Sequence, residues 1–540
     1  MPGRPAMTFR HPVRATVATA VTAACATALA VPAHPVPAHP TPANPVPAAH
    51  AGPQQHRVRW LACDQVLDPA PPIDPDVADC AVRQVPRDHA RPDAGTLDVV
   101  MLRRRASDPA RRLGTLFVNP GGPGQSGLHF AYRAEKYLSA EVLARYDVVG
   151  FDPRGTGQSA AVRCFTSQEA ADTALAGKRE APLRRAEVRA TLRAARAYTD
   201  ACARDGGPLL AHMTTADVAR DLDLLREGVG AKRLNFAGFS YGSLIGATYA
   251  NLFPGHTGAL ILDGNIDPLL RMTDGAEYDR QRAVGAERAL TAFLRACAAA
   301  SGRCAFGDGE PAAAFAAIRQ RLRHGPLTLP DGTTVDFGGF GAQVFGRLSA
   351  GDLTGLARYL TTVRTAAAKD TRAPAAGPAR GTAQVAPGKS TPYRGNDSGN
   401  AVNCGEKPYR LPARAWPALA ERWERESPTF GRRRAFDALP CATWPVRAGS
   451  GTAPYSGPWD RPTGRTALVI GNRHDPDTPY AFAERMAARL ADARLLTADM
   501  YGHTAMGANR CVDELATRYL TEHEVPPTDT ACPAGAPPFG

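Results

Sequence analysis

Short, largely apolar runs recur along the first half of the chain, and each ends in glycine, proline or a polar residue. Residues 97–102 (LDVVML) form one. Residues 115–119 (TLFVN) run into Pro120-Gly121-Gly122-Pro123-Gly124, residues 146–152 (YDVVGFD) into Pro153-Arg154-Gly155, and residues 234–238 (LNFAG) towards Ser240; residues 259–263 (ALILD) follow. Runs that are continuous rather than alternating are expected of strands buried on both faces of a parallel sheet. Helical periodicity separates them. Thr214 is placed to cap a helix starting near Thr215, on which Val218, Leu222, Leu225 and Val229 share a face. After Ser240, the small residues Gly242, Gly246 and Ala250 recur every fourth position. Such a stripe lets a helix lie close against a sheet. The strand–helix alternation predicts an α/β fold with a doubly wound, mostly parallel sheet.

The alternation stops near Asp267 and returns at residues 466–471 (TALVIG) and 494–498 (RLLTA). Between them, residues 276–300 are Ala-rich and helical in pattern, and residues 365–400, rich in Ala, Pro, Gly, Thr and basic residues, predict a mobile loop. The division expected is a core in two parts, residues 56–267 and 456–540, with residues 268–455 inserted as a mainly helical lid domain. No fixed-period repeat is visible.

Composition changes this picture in three places. The chain has 540 residues, long for one ordinary domain, with 44% hydrophobic and 21% charged residues, enough for a sizeable core. Its formal charge of +12 comes from 64 basic residues scattered among 52 acidic ones, without a basic run interleaved with aromatics. No nucleic-acid partner is expected. At the start, Arg4, Arg10 and Arg14 precede an apolar stretch at residues 15–30 that closes on Ala28-Leu29-Ala30. Residues 1–30 therefore read as a cleaved secretory signal, too short and too rich in Ala and Thr to span a bilayer. Cys25 lies inside that segment, with Thr22 where a lipid-attachment signal would carry Leu. Residues 31–55 form a Pro/Ala/His leader expected to be extended and disordered.

Ten cysteines remain outside the signal, an even number in a chain read as secreted. Their spacing suggests the local pairs Cys63–Cys80, Cys164–Cys202, Cys297–Cys304, Cys404–Cys441 and Cys511–Cys532. Neither C-x-x-C nor H-E-x-x-H occurs, so no metal site is expected, and no motif calls for a cofactor.

Gly238-Phe239-Ser240-Tyr241-Gly242 is a G-x-S-x-G sequence between an apolar strand and a helix. A serine nucleophile there sits on a sharp strand-to-helix turn, where side chains at the glycine positions would collide with backbone. Serine needs a base, and on this scaffold the order along the chain is Ser, acid, His. His503, in Tyr501-Gly502-His503-Thr504, follows the last strand pattern; His256 and His324 come too early. The acid belongs in the loop after residues 466–471. Asp475 is nearest the strand end, Asp477 is placed to cap the following helix, and Asp263 is a third candidate at the preceding strand end. Tyr241 supplies one backbone N–H for an oxyanion, and Gly122, with Gly121 as alternate, supplies a second from the early Gly/Pro loop. An epoxide hydrolase or dehalogenase would carry Asp rather than Ser240 at the turn.

These segments resemble the prolyl-aminopeptidase branch of the α/β-hydrolases, in particular the secreted tripeptidyl aminopeptidases with a TAP-like C-terminal region. Pro120-Gly121-Gly122-Pro123-Gly124 is similar to the family's H-G-G-P-G, with Pro120 in place of His. Residues 152–159 (DPRGTGQS) resemble its D-x-R-G-x-G-x-S segment, residues 475–479 (DPDTP) its D-P-x-T-P, and Gly502-His503 its terminal G-H. The acid stands first in the family's D-P-x-T-P, which favours Asp475. The resemblance implies exopeptidase action on peptides with free N-termini. It also implies an acid in the insertion that holds the substrate ammonium, for which Glu406, near Cys404, matches a segment ending C-x-D. Arg154 is expected to be structural in its turn. A carboxylesterase or lipase on the same residues is the competing expectation.

Overall fold

The computed structural model describes residues 57–68, 72–369, 392–446, 451–535 and 539. The signal segment, the Pro-rich leader and Cys25 lie outside the described residues. Everything below belongs to one compact unit that begins at Pro53.

Eleven strands are formed among the described residues: β1 (Ala78–Pro86), β2 (Thr96–Arg104), β3 (Gly114–Asn119), β4 (Tyr146–Phe151), β5 (Leu234–Phe239), β6 (Thr257–Asp263), β7 (Leu327–Thr328), β8 (Thr334–Val335), β9 (Ala467–His474), β10 (Ala493–Tyr501) and β11 (Ala531–Cys532). Nine of them build one sheet in the order β1-β2-β4-β3-β5-β6-β9-β10-β11. From β4 to β11 every pair is parallel, while β2 runs antiparallel to both its neighbours. Continuous apolar character follows from double coverage. Phe117 of β3 points into one core with Val218, Leu222, Leu225 and Leu244, whereas Leu116 and Val118 point into another with Leu128, Val142 and Val512.

The chain leaves β3 to one side for β4 and returns on the other side for β5. Strand order therefore reverses beside β3, and the crevice beyond the carboxyl ends of β3 and β5 is where such sheets bind ligands. Register makes this local: Asn119 at the end of β3 is paired with Gly238 at the end of β5. The Gly/Pro loop and the Ser240 turn thus emerge side by side. The helix Tyr241–Leu252 can follow at once because its small stripe meets the sheet closely. A Cβ on Gly246 would stand 2.7 Å from a Leu262 methyl.

Between β6 and β9 the chain is mainly helical. Gly275–Ala300, Pro311–His324, Phe337–Ser349 and Leu353–Lys369 share a core around Phe293, Phe315 and Phe340, and Trp416–Glu426 packs a smaller one around Trp416, Trp423 and Phe436. The expected loop at residues 365–400 is corrected at both ends. Helix Leu353–Lys369 takes its first part, where Ala366 is buried, and helix Asp397–Glu406 takes its last; residues 370–391 lie outside the described residues. All five disulfides join the cysteines that the spacing paired. No helix among the described residues is long and apolar enough to cross a membrane, and none of their side chains form a metal-ligating cluster.

Candidate active site

Ser240 sits between β5 and its helix with φ 55° and ψ −121°, a conformation costly for any residue with a Cβ. The flanking glycines make the turn possible. A Cβ on Gly238 would lie 2.2 Å from the Gly242 carbonyl oxygen, and one on Gly242 would lie 2.6 Å from the Asn119 carbonyl oxygen. The Ser240 N–H donates to the Asp263 carbonyl at 2.8 Å, which ties the turn to the end of β6.

The loop after β3 lies directly on this turn. Gly121, at φ 92°, is so close that a Cβ would stand 2.7 Å from the Tyr241 nitrogen and 2.9 Å from the Ser240 Cβ. Its own N–H donates to Asn119 Oδ1 at 2.9 Å. That bond occupies the Gly121 donor; Gly122, next along, has φ 106°.

His503 reaches the same strand end from β10. A Cβ on Gly264 would be 2.9 Å from the imidazole Cε1, so glycine after Asp263 leaves room for the ring. Nδ1 is 2.8 Å from Asp475 Oδ2 and 3.1 Å from Oδ1. Nε2 is buried without a hydrogen-bond partner among the described residues. The Asp475 side chain has 0% exposure and the His503 side chain 15%. Asp475 is itself held by the Asp477 and Thr478 backbone N–H groups and by the Thr478 hydroxyl, 2.8 Å from Oδ2. Thr478 Oγ1 also lies 3.3 Å from His503 Nδ1.

The competing acids have other partners. Asp263 accepts from the Ala505 and Met506 backbone N–H groups, just beyond His503. Burial raises its carboxyl to about 6 against the pull of those bonds. Asp477 does not cap the next helix, whose N-cap residue Pro479 has no side-chain cap. It is turned instead to Arg282, which donates to both its carbonyl and its carboxylate. Burial of His503 disfavours the imidazolium. The carboxylates of Asp475, Asp477 and Asp263 outweigh that and lift the ring to about 9.

Glu406 is placed differently from a substrate-facing acid. Its side chain has 0% exposure. One oxygen accepts the Thr215 N–H; the other accepts the Thr215 hydroxyl at 2.9 Å and Arg271 at 3.2 Å. Thr215 Oγ1 is in turn 2.7 Å from the Tyr241 hydroxyl. Burial pushes the Glu406 carboxyl up, with Arg271 opposing. The segment around Cys404 gives no hint of which way this carboxylate turns, and the cationic partner lies 135 residues away along the chain. Thr478 is the residue that spacing alone did not single out; its only sequence signal is its place in the DPDTP run. Arg154 is fully enclosed, paired with Asp221 and donating to the carbonyls of Pro86, Arg87 and His212.

Residues 427–532 match the family described as TAP-like protein, and residues 114–303 match the α/β hydrolase fold family. The chain is similar to the serine protease Hip1 of Mycobacterium tuberculosis, at 31% identity over 88% of this chain and 91% of that one. It is similar to the tripeptidyl aminopeptidase of Streptomyces lividans at 29%, over 86% of this chain and 85% of the relative. A protein called carboxylesterase B of Mycobacterium tuberculosis is 30% identical over 89% and 90%. With this sheet, this serine turn and relatives aligned along nearly their whole length, the chain belongs to the α/β-hydrolase family with a TAP-like C-terminal region, and it is a hydrolase.

Proposed function

We propose that the protein is a secreted serine exopeptidase that hydrolyses peptide bonds near free N-termini, with Ser240, His503 and Asp475 as its catalytic triad. The observation that carries this reading is the buried, partnerless Nε2 of His503, whose Nδ1 is held by Asp475, at the strand end to which the Ser240 turn is tied. In the acylation step the Ser240 Oγ–C bond forms as its proton passes to His503 Nε2. The carbonyl electron pair becomes an oxyanion, held by the N–H groups of Tyr241 and Gly122. Its collapse breaks the C–N bond, and the His503 proton leaves with the amine. Water then repeats the sequence on the ester and frees Ser240. Asp475 orients the ring and stabilises its charged form throughout.

The names of the tripeptidyl aminopeptidase and of Hip1 support peptides as substrates. Five disulfides support an oxidising, extracytoplasmic destination. The helical insertion between β6 and β9 fits a lid over the crevice. Glu406, spent on Arg271 and Thr215, is not used as the ammonium anchor in this reading. Product analysis by mass spectrometry on one peptide, free and N-acetylated, tests it: cleavage of the free form alone is expected, and equal cleavage of both would overturn it. A carboxylesterase is the second reading, favoured by the carboxylesterase B relative; p-nitrophenyl esters turned over far better than peptide anilides would select it.

Two further outcomes follow from the same residues. The base must be neutral to accept a proton, and its environment lifts His503 to about 9. Activity is therefore lost as pH falls through that value. A kcat/KM profile should rise into the alkaline range with a midpoint near 9, whereas one flat above pH 6 would contradict the assignment. Thr478→Val removes a hydroxyl donor from Asp475. A hydrogen bond to a charged group contributes roughly 1.5–3 kcal/mol, so kcat/KM should fall at least about tenfold with the fold retained.

A further inference from the structure

The helix Asp397–Glu406 of the insertion touches both sides of the proposed oxyanion site, one side at each end. At its start, Asn396 Nδ2 donates to the Pro123 carbonyl at 3.2 Å. Gly124 is pressed so closely to this turn that a Cβ would stand 2.1 Å from Asn396 Oδ1, and a Cβ on Gly399 would stand 2.7 Å from the Pro123 oxygen. Pro123 and Gly124 follow Gly122 directly. At its other end, Glu406 takes the Thr215 hydroxyl, which takes the Tyr241 hydroxyl, so that a chain of two hydrogen bonds joins the insertion to the residue after Ser240. Arg271 lies over the Tyr241 ring, 5.6 Å from its centroid, and bonds both Glu406 and Asn403.

The helix is itself held in place. Asp397 is buried and accepts from the Cys164 N–H at 2.7 Å, the Tyr198 hydroxyl at 2.7 Å and the Tyr393 hydroxyl at 2.9 Å. Cys404 is joined to Cys441. The helix is therefore tied down at both ends; its start bonds the backbone carbonyl beside Gly122, and its end reaches the Tyr241 side chain through Thr215.

We propose that this helix is a brace for the oxyanion hole, with Asn396 and Glu406 as positioning residues that set the Gly122 and Tyr241 N–H groups. The insertion then contributes to transition-state stabilisation as well as to access. The brace rests on the serine hydrolase reading given above. Oxyanion donors act only when aimed at the position that the developing anion takes, and losing one costs about 10²–10³ in turnover. A loosened donor should fall short of that, at about tenfold.

Glu406→Gln would leave Arg271 buried without its ion pair and risks the fold, so two milder variants test the brace. Tyr241→Phe cuts the hydroxyl chain while leaving Arg271 and Glu406 paired. Asn396→Asp keeps the side-chain oxygen that caps Gly399 and removes the donor to Pro123. The readouts are kcat and KM on a peptide anilide, affinity for a peptide boronic acid that forms a tetrahedral adduct, and Tm. Each variant should lose about tenfold in kcat and in boronate affinity together, with KM and Tm close to the parent values. An active parent whose variants keep kcat and boronate affinity, whatever happens to Tm, overturns the brace alone. A parent inert towards both probes overturns the serine peptidase reading, and the brace with it.

Discussion

Ser240→Ala is expected to lower kcat for aminoacyl and tripeptidyl anilides by on the order of 10⁴–10⁶, to the level left by binding and the anion donors alone. The reasoning is local. The hydroxyl is the only atom removed, and alanine adopts φ 55° at the same steric cost as serine, so the turn has no new reason to relax. The Ser240 N–H keeps its bond to the Asp263 carbonyl, and Gly121 keeps its place against Tyr241. Substrate binding and Tm should therefore stay near the parent values. Steady-state assays with Tm measured in parallel check both halves; activity within tenfold of the parent would remove Ser240 from the mechanism.

Asp475→Asn is expected to cost on the order of 10⁴ in kcat. The carboxylate accepts from two backbone N–H groups, the Thr478 hydroxyl and His503. An amide has a single oxygen for those four donors. If that oxygen stays with the backbone, the amide NH₂ faces His503 Nδ1 and forces the ring proton onto Nε2, where it blocks the base. The pH dependence should move as well. Asp475 opposes the burial that disfavours the imidazolium. Without its charge the residual activity should have its midpoint at lower pH than the parent. A profile unshifted from the parent, or a loss under tenfold, would point to Asp477 or Asp263 as the orienting acid.

The order of the core elements was legible in the sequence for a physical reason. Strands covered on both faces are largely apolar, as in residues 115–119 and 234–238, and the strained turn at Ser240 is flanked by glycine. The edges of the sheet were not legible. β1 carries Arg83 and Gln84 within its run, because an edge strand is free to be polar, and β11 is only two residues long. The stretch between β6 and β9 was legible only as helical pattern. Its Pro/Gly-rich composition hid the helix that starts at Asp397. That start depends on Asn396 capping Gly399 and on the partners of Asp397, Cys164 and Tyr198, which lie far away in the chain.

Glu406 marks where sequence reasoning runs out. Its residue type and its place near Cys404 were consistent with an acid that meets substrate, and nothing nearby in the chain reveals the ion pair with Arg271. The direction of a side chain in an insertion is decided by tertiary partners, and here those partners turn it towards Thr215 and Tyr241. Asp477 is a parallel case: its position suits a helix cap, but Arg282 from the helix Gly275–Ala300 claims it.

The most direct measurement is the mapping of a fluorophosphonate adduct by peptide mass spectrometry on the native protein, with a heat-denatured control. A serine activated by His503 and Asp475 at the end of β5 should be modified at one equivalent per chain on Ser240. Modification should be absent after denaturation and strongly slowed in Asp475→Asn. Modification of a different residue, or undiminished peptide hydrolysis by protein in which Ser240 stays unmodified, would contradict the proposed mechanism.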